Sequence, residues 1–391
     1  MKRIGIYGGT FNPPHVGHIR AAQYALQTLP LDEILVIPSF ISPHKKLPEG
    51  SGTPVERLEM TKLCFGGPGF TVSDMELARG GTSYTYQTAE ALRREYPDAE
   101  LVLLMGTDMF LSFLNWVEPQ KILECVSLGV FYRGEKGEIA SVARQKAQME
   151  ALGAKVYLLE NPVTEISSTD LRRMLVFGCA ADHLVPDVLH YIREKGLYGC
   201  GEDYRNLPMD KLEAAVTGLL KPNRVAHVLG CRETAVELAK RWGEDPVQAA
   251  RAGLLHDITK ALDGPLQLTL CSAYGIILDN FATHNPKTLH ALTGSLVAER
   301  VFGESQAVVS AICSHTTGKA GMNTLEKIIY VADYMEPNRD FPGVEQLRHL
   351  AFTDLDAALK RGLEMTLEVL KQEGKEISPE SRQALDYLNG K

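Results

Sequence analysis

The sequence predicts two domains of different class: an α/β domain built on a parallel sheet, residues 1–200, and an all-helical domain, residues 201–391. Three observations carry this. In the first half, short apolar runs alternate with amphipathic segments, the pattern of strands and crossover helices in a sheet covered on both faces. From Met209 onward, period-2 alternation is almost absent and apolar residues recur every three or four positions, the spacing of a helix face. Between these textures lies Gly196-Leu197-Tyr198-Gly199-Cys200-Gly201-Glu202-Asp203, glycine-rich and polar, a linker by composition.

The elements follow in chain order. Arg3-Ile4-Gly5-Ile6-Tyr7 reads as a strand that runs into Gly8-Gly9, and Ile19, Ala22, Leu26 and Leu29 then mark one helix face. Glu33-Ile34-Leu35-Val36-Ile37 is a second strand, stopped by Pro38; residues 84–94 read as a helix; Leu101-Val102-Leu103-Leu104-Met105 is a third strand closed by Gly106. Residues 128–132 and 155–159 are further strands. In the second half, Leu212, Val216, Leu219 and Leu220 mark a helix, as do Leu325, Ile328, Ile329 and Val331, and again Leu355, Leu359, Leu363, Leu367 and Leu370. In parallel α/β sheets the ligand sits beyond the carboxyl ends of the strands, which directs attention to the turns that follow them.

Composition bounds the function. Of the 391 residues 45% are hydrophobic and 23% charged, which excludes a disordered or collagen-like chain. A net charge of -8 argues against a general nucleic-acid binder, so any polyphosphate must be held by local devices such as helix N-termini, a few basic residues or metal ions. Seven cysteines, odd in number and without a C-x-x-C pair, read as reduced thiols of a cytoplasmic protein. No apolar run approaches the ~20 residues of a membrane span, and the Met1-Lys2-Arg3 start lacks the apolar core of a signal peptide. The expected partners are small nucleotides, with neither nucleic acid nor membrane among them; a homo-oligomer stays open.

The first candidate site is Gly8-Gly9-Thr10-Phe11-Asn12-Pro13-Pro14-His15-Val16-Gly17-His18, which joins the first strand to the first helix. Glycines let the backbone approach a ligand. His15 and His18, three apart, share one helix face near its positive end, an arrangement suited to a phosphate chain. The segment is neither a P-loop nor a G-x-G-x-x-G fingerprint, and H-E-x-x-H zinc spacing is absent. A second element, Ser167-Ser168-Thr169-Asp170-Leu171-Arg172, reads as a capping box with Ser167 as N-cap and Asp170 three residues on.

Together these segments resemble the nucleotidylyltransferase superfamily, with its (H/T)xGH motif and its I-S-S-T-x-x-R signature, here Ile166 to Arg172. Within it, residues 1–198 resemble bacterial nicotinate-nucleotide adenylyltransferase. Gly9-Thr10-Phe11-Asn12-Pro13-Pro14-His15 stands where that family has G-T-F-D-P-P-H, Asn12 replacing its Asp. Pro43-His44-Lys45 matches P-P-H-K with Ser42 in place of the first Pro, Ser83-Tyr84-Thr85 matches S-Y-T, and Gly106-Thr107-Asp108-Met109 resembles G-A-D-M. The resemblance implies a Rossmann-like fold and transfer of AMP from ATP, with Mg2+, to nicotinate mononucleotide. It places His15, His18, Lys45 and Arg172 on the phosphates. Gly8, Gly9, Thr10, Phe11, Gly106, Asp108, Ser167, Ser168 and Thr169 are implied to hold the nucleotide. Trp116 is implied to stack on the pyridine ring, Thr85 to meet its carboxylate, and His44 and Arg133 to join the substrate contacts. Without the resemblance, Trp116 reads equally as a core tryptophan and Thr85 as an N-cap. Alternatives are a pantetheine-phosphate adenylyltransferase or a cytidylyltransferase.

The helical half holds six of the chain's eleven histidines. His256-Asp257 ends the apolar segment around Ala249, Ala252, Leu254 and Leu255, and Asp333 interrupts another apolar helix. Buried carboxylates are costly unless paired or bound to a cation, and beside imidazoles they suit a divalent transition metal. The order H…HD…H…H…D resembles the HD-domain phosphohydrolases. Residues 209–389 resemble the symmetric dinucleoside-tetraphosphate hydrolases within them, through Arg224-Val225-Ala226-His227, His256-Asp257-Ile258-Thr259-Lys260, His284-Asn285-Pro286, His315-Thr316-Thr317-Gly318 and Val331 to Arg339. The resemblance implies a dinuclear metal centre, iron in that family. His227, His256, Asp257 and Asp333 would hold one ion and His290 and His315 the second, with Asp257 bridging. It further implies Lys260 and Arg339 on the phosphate chain, Arg224, His284 and Asn338 as substrate contacts, and cleavage of diadenosine tetraphosphate to two ADP. Alternatives are another HD phosphomonoesterase or phosphodiesterase, or a nucleotide-sensing module.

Overall fold

Six parallel strands, β1 (Arg3–Gly9), β2 (Glu33–Pro38), β3 (Phe70–Val72), β4 (Glu100–Gly106), β5 (Ser127–Tyr132) and β6 (Val156–Glu160), form one sheet in the order β3-β2-β1-β4-β5-β6. The computed structural model describes residues 1–44, 46–132, 136–160 and 166–390. Two units are distinguished, Met1–Gly201 and Glu202–Lys391.

The central strands are continuous apolar runs because helices cover both faces. Ile34 to Ile37 in β2 and Leu101 to Met105 in β4 are all buried. Gly129 of β5 admits this packing: a Cβ there would lie 2.7 Å from Leu104 Cδ2. Register places Ile6 opposite Leu35 on one side and Leu103 on the other, so β1 ends at Gly9 beside Pro38. The strand order reverses between β1 and β4, and the carboxyl ends there carry Gly8-Gly9-Thr10 and Gly106-Thr107-Asp108, the place where such sheets bind ligands. The sequence reading overlooked β3, a three-residue edge strand only partly buried, too short to show a period.

In the described residues of the second unit all regular elements are helices. Five of them carry the candidate cluster: Pro222–Trp242, Pro246–Leu255, Leu289–Arg300, Gln306–Ser314 and Thr324–Met335. Asp245 caps the second by accepting from the Val247 N–H, and Asn323 and Glu326 form a reciprocal capping box at the start of the last. These caps fix where the two helices begin. His256 follows Leu255, His315 follows Ser314, and Asp333 lies in the final turn of its helix, so three helix C-termini bring partial negative charge to one place. Among the described residues no helix is long and apolar enough to cross a membrane. All seven cysteines are free.

Candidate functional sites

The loop after β1 is built to be rigid. Phe11 adopts a left-handed backbone (φ 47°), a strained state for a residue with a Cβ, and its buried ring packs edge-on against Tyr7 and Phe65. Asn12 is buried; its Nδ2 donates to Ser51 Oγ at 2.8 Å and its Oδ1 accepts from the Tyr198 hydroxyl at 2.8 Å. Arg172 Nη1 donates to the Asn12 carbonyl at 2.7 Å, and Ser168 Oγ to the Pro13 carbonyl at 3.0 Å. The two predicted segments are thereby joined: the helix Ser168–Val176 is tied to the loop of the helix Val16–Thr28.

His15 is the N-cap of Val16–Thr28, and its ring lies 3.7 Å from that of His18, centroid to centroid. Burial pushes both imidazoles toward neutrality, His15 well below its ordinary pKa and His18 down to about 4. His18 Nδ1 accepts the His15 backbone N–H at 3.2 Å, so the proton of the neutral ring is on Nε2, a donor available to an anion. His15 Nδ1 is buried without a protein partner. The Ser167 motif is half the expected capping box: Ser167 Oγ accepts from the Asp170 N–H, but the Asp170 carboxylate takes the Ser167 hydroxyl proton instead of returning to the N-cap backbone. A short Asp side chain does not span the distance that Glu covers in the full box.

A cavity of about 450 Å³ is lined by Pro43, His44, Tyr84, Thr85, Asn115 and Trp116, among others. The His44 and Trp116 rings are 5.1 Å apart. Trp116 is only partly buried and also packs on Phe113, so it is a wall of the cavity instead of a core tryptophan. Thr85 is the first residue of the helix Thr85–Glu95, whose N-cap is Tyr84; the N-cap reading of Thr85 is corrected by one position. Asp108 is exposed in the first turn of the short helix Thr107–Leu111 after β4. Lys45 and Arg133 lie outside the described residues.

In the second unit, four imidazoles converge by the same device. His256 Nδ1 is 2.8 Å from the Gly253 carbonyl, His290 Nδ1 2.8 Å from that of Lys287, and His315 Nδ1 2.6 Å from that of Ile312. His227 Nδ1 is 3.1 Å from Glu336 Oε1. Each Nδ1–H is therefore spoken for, and each Nε2 lone pair faces inward. Burial holds His256, His290 and His315 below their ordinary pKa, in the neutral form that ligates metal.

Asp257, almost fully buried, divides its oxygens between them. Oδ2 is 3.6 Å from both His227 Nε2 and His256 Nε2; Oδ1 is 3.4 Å from His290 Nε2 and 3.8 Å from His315 Nε2. Asp333 Oδ1 is 3.1 Å from His227 Nε2. Lone pairs of this density repel unless a cation lies among them, and two donor groups are close enough to share one: His227, His256 and Asp333, and His256, Asp257 and His315. The donor set of imidazole and carboxylate fits a divalent transition metal. Asp333, in the final turn of its helix, is less enclosed than its sequence setting implied, with 21% of its side chain exposed.

Basic residues rim the cluster. Arg224 donates to Asp257 Oδ2, Arg339 Nη2 to Asp333 Oδ1 at 2.8 Å, and Lys260 Nζ lies 2.8 Å from His290 Nε2. Lys260 exposes much of its surface, but the burial of its ammonium lowers its pKa to about 8. Asn338 Nδ2 donates to Glu336 Oε2 and to the Ala226 carbonyl, which makes it a brace within the site. His284 is exposed at the end of the helix Asn280–His284 with Nδ1 on the Asn280 carbonyl. Two buried residues carry no sequence signal that singled them out. Arg57 donates to the carbonyls of Thr10, Ser39 and Phe40, joining the ends of β1 and β2. Glu336 was visible only as a letter in the last motif.

Fold and sites define a protein with a nucleotidyltransferase-type α/β domain followed by an all-helical HD domain. Residues 6–174 match the family model described as cytidylyltransferase-like, and residues 224–338 match that of the HD domain. Proteins named "Probable nicotinate-nucleotide adenylyltransferase" are similar to the first half. That of Dictyoglomus turgidum is 36% identical over 207 residues, covering 52% of this chain and 99% of the relative. That of Hydrogenovibrio crunogenus is 39% identical over 206 residues, covering 50% and 98%. Through this half the chain belongs to the nicotinate-nucleotide adenylyltransferase family. A solved structure from Clostridium acetobutylicum, described as a "predicted HD superfamily hydrolase involved in NAD metabolism", is 37% identical, with a TM-score of 0.46 and coverage of 47% of this chain and 98% of that one.

Proposed function

We propose that the chain is bifunctional: residues 1–200 transfer AMP from ATP to nicotinate mononucleotide, giving nicotinate adenine dinucleotide and pyrophosphate, and residues 201–391 hydrolyse diadenosine tetraphosphate to two ADP. Family membership carries the first half, and the cavity walled by Trp116, His44 and Thr85 supports a flat aromatic acid as the acceptor's base. The acceptor phosphate attacks the α-phosphorus of ATP and pyrophosphate leaves, so no protein nucleophile is required; catalysis is positioning and charge stabilisation. His18 donates from Nε2 to the α-phosphate, and Arg172, already fixed on the loop by Asn12, faces the phosphate chain with His15. The bound ATP carries Mg2+.

The division of Asp257 between two imidazole pairs is the observation that carries the second half. His227, His256 and Asp333 would hold one metal, His290 and His315 the other, and Asp257 both. Bound there, two divalent metals supply Lewis-acid stabilisation to a phosphoryl group. Lys260, Arg224 and Arg339 bind and orient the polyphosphate chain, exchanging their contacts with His290, Asp257 and Asp333 for phosphate oxygens.

The test uses the full chain loaded with iron(II) or manganese(II). ATP and nicotinate mononucleotide should yield nicotinate adenine dinucleotide and pyrophosphate, and diadenosine tetraphosphate should yield ADP alone. ATP consumption with pantetheine phosphate in place of nicotinate mononucleotide would overturn the first half. Release of AMP plus ATP, or no turnover at full metal occupancy, would overturn the second and favour another phosphodiesterase or a nucleotide sensor.

A further inference from the structure

The Glu336 carboxylate is buried, lies beside the histidine–aspartate cluster and belongs to neither of its two donor groups. Each of its oxygens has a partner there. Oε1 lies 3.1 Å from His227 Nδ1, while Oε2 accepts the Asn338 N–H at 2.7 Å and the Asn338 Nδ2 at 2.8 Å. The same Nδ2 reaches the Ala226 carbonyl, which ties this turn to the helix that carries His227. Glu336 is the C-cap of the Asp333 helix, so residues three apart grip the two nitrogens of one imidazole, Asp333 at Nε2 and Glu336 at Nδ1.

The opposing helix is shaped to admit it. Gly230 stands three residues after His227 on Pro222–Trp242, where a glycine is a poor choice for helix stability. A Cβ at that position would lie 2.4 Å from Glu336 Oε2 and 3.0 Å from Asn338 Nδ2. His227 differs in this from His256, His290 and His315, whose Nδ1 atoms rest on neutral backbone carbonyls.

We infer that Glu336 is a positioning residue for metal binding. Its carboxylate fixes the His227 ring and tautomer and makes Nε2 a stronger donor than a carbonyl partner would, and Gly230 is the slot that lets it approach. The inference rests on the metal-centre reading above. It predicts that the ion shared by His227, His256 and Asp333 depends on Glu336, while the ion near His290 and His315 does not.

The experiment is equilibrium dialysis of the full chain against a Mn2+ series, with metal per chain measured alongside circular dichroism. The wild type should take up two ions. Glu336→Ala and Gly230→Ala should each weaken one binding step by about 10–100-fold and leave the other within about twofold, the range seen when an outer partner of a ligating histidine is lost. Glu336→Gln keeps the volume and an acceptor but not the charge, and should weaken the same step by less than Glu336→Ala; it decides the matter if the alanine variants do not fold. A folded Glu336→Gln or Glu336→Ala protein with both steps at wild-type strength overturns the inference, as does equal weakening of both steps, the mark of a merely structural role. A wild-type chain that binds no Mn2+ overturns the metal-centre reading itself and this inference with it.

Discussion

Replacing Tyr198 by Phe tests whether the nucleotide loop is held from behind. The phenol sits in the protein interior and donates to Asn12 Oδ1 at 2.8 Å, while receiving a hydrogen bond from the Gly52 backbone. Phenylalanine keeps the ring and its packing but strands Asn12 Oδ1 at 2% exposure, where water does not replace the lost donor. An acceptor left unsatisfied in a buried place costs about 1–3 kcal/mol. In a unit of this size each kcal/mol lowers the melting temperature by about 2–4 °C. The loss also reaches the ligand site, because the carbonyls of Asn12 and Pro13 hold Arg172 and Ser168. We expect kcat/KM for ATP to fall about tenfold, equivalent to about 1.4 kcal/mol. The chain has two tryptophans, Trp116 in the first unit and Trp242 in the second, so Trp116 fluorescence in a Trp242→Phe background reports urea unfolding of the first unit alone. Asn12→Ala and the double variant complete a cycle whose coupling should be about 1–2 kcal/mol. An unmoved Trp116 transition in Tyr198→Phe, or losses that simply add in the double variant, would refute the reasoning.

Three further outcomes are expected. His256→Ala removes a residue common to both donor groups and should abolish phosphohydrolysis with adenylyl transfer retained; loss of both activities in a folded variant would contradict two independent sites. His18, buried and lowered from 6.5 to about 4, binds its proton more readily unfolded than folded between those values, so its contribution is intact above about pH 6.5 and disappears as pH falls toward 4. That loss amounts to about 3 kcal/mol, and a folded His18→Gln variant whose stability falls as steeply as the wild type's from pH 6.5 to 4 would count against it. Thr293→Val breaks a buried network in which Thr293 Oγ1 donates to Gln267 Oε1 and Gln267 Nε2 to the Thr259 carbonyl, while Thr259 Oγ1 reaches the His290 carbonyl. It should cost about 1–3 kcal/mol in chemical unfolding; an effect under about 0.5 kcal/mol would show the network to be dispensable.

Much of the fold was legible because it rests on local patterning. The apolar runs of β1, β2 and β4 and the three-to-four spacing after Met209 report burial that any such segment must achieve. β3 escaped because three half-exposed residues at a sheet edge carry no period. Thr85 was misplaced by one position because the cap is set by backbone angles, here those of Tyr84, and not by residue type. Arg57 was invisible for a different reason: an arginine inside a helix reads as solvated charge until the carbonyls of Thr10, Ser39 and Phe40 are known to surround it.

By itself the sequence determined the two classes of architecture and the chemical vocabulary of each site: glycines, paired imidazoles and an arginine in one half, histidines and aspartates set in apolar helices in the other. Tertiary structure alone decided which atoms face which. The assignment of each Nδ1 to an outer acceptor, the division of the Asp257 oxygens, the grip of Glu336 on His227 and the slot at Gly230 all join residues from 3 to more than 100 positions apart. Periodicity records whether a side chain is buried; it holds no information about the direction of a lone pair, which is fixed only when separate helices pack and every buried polar atom must find its partner.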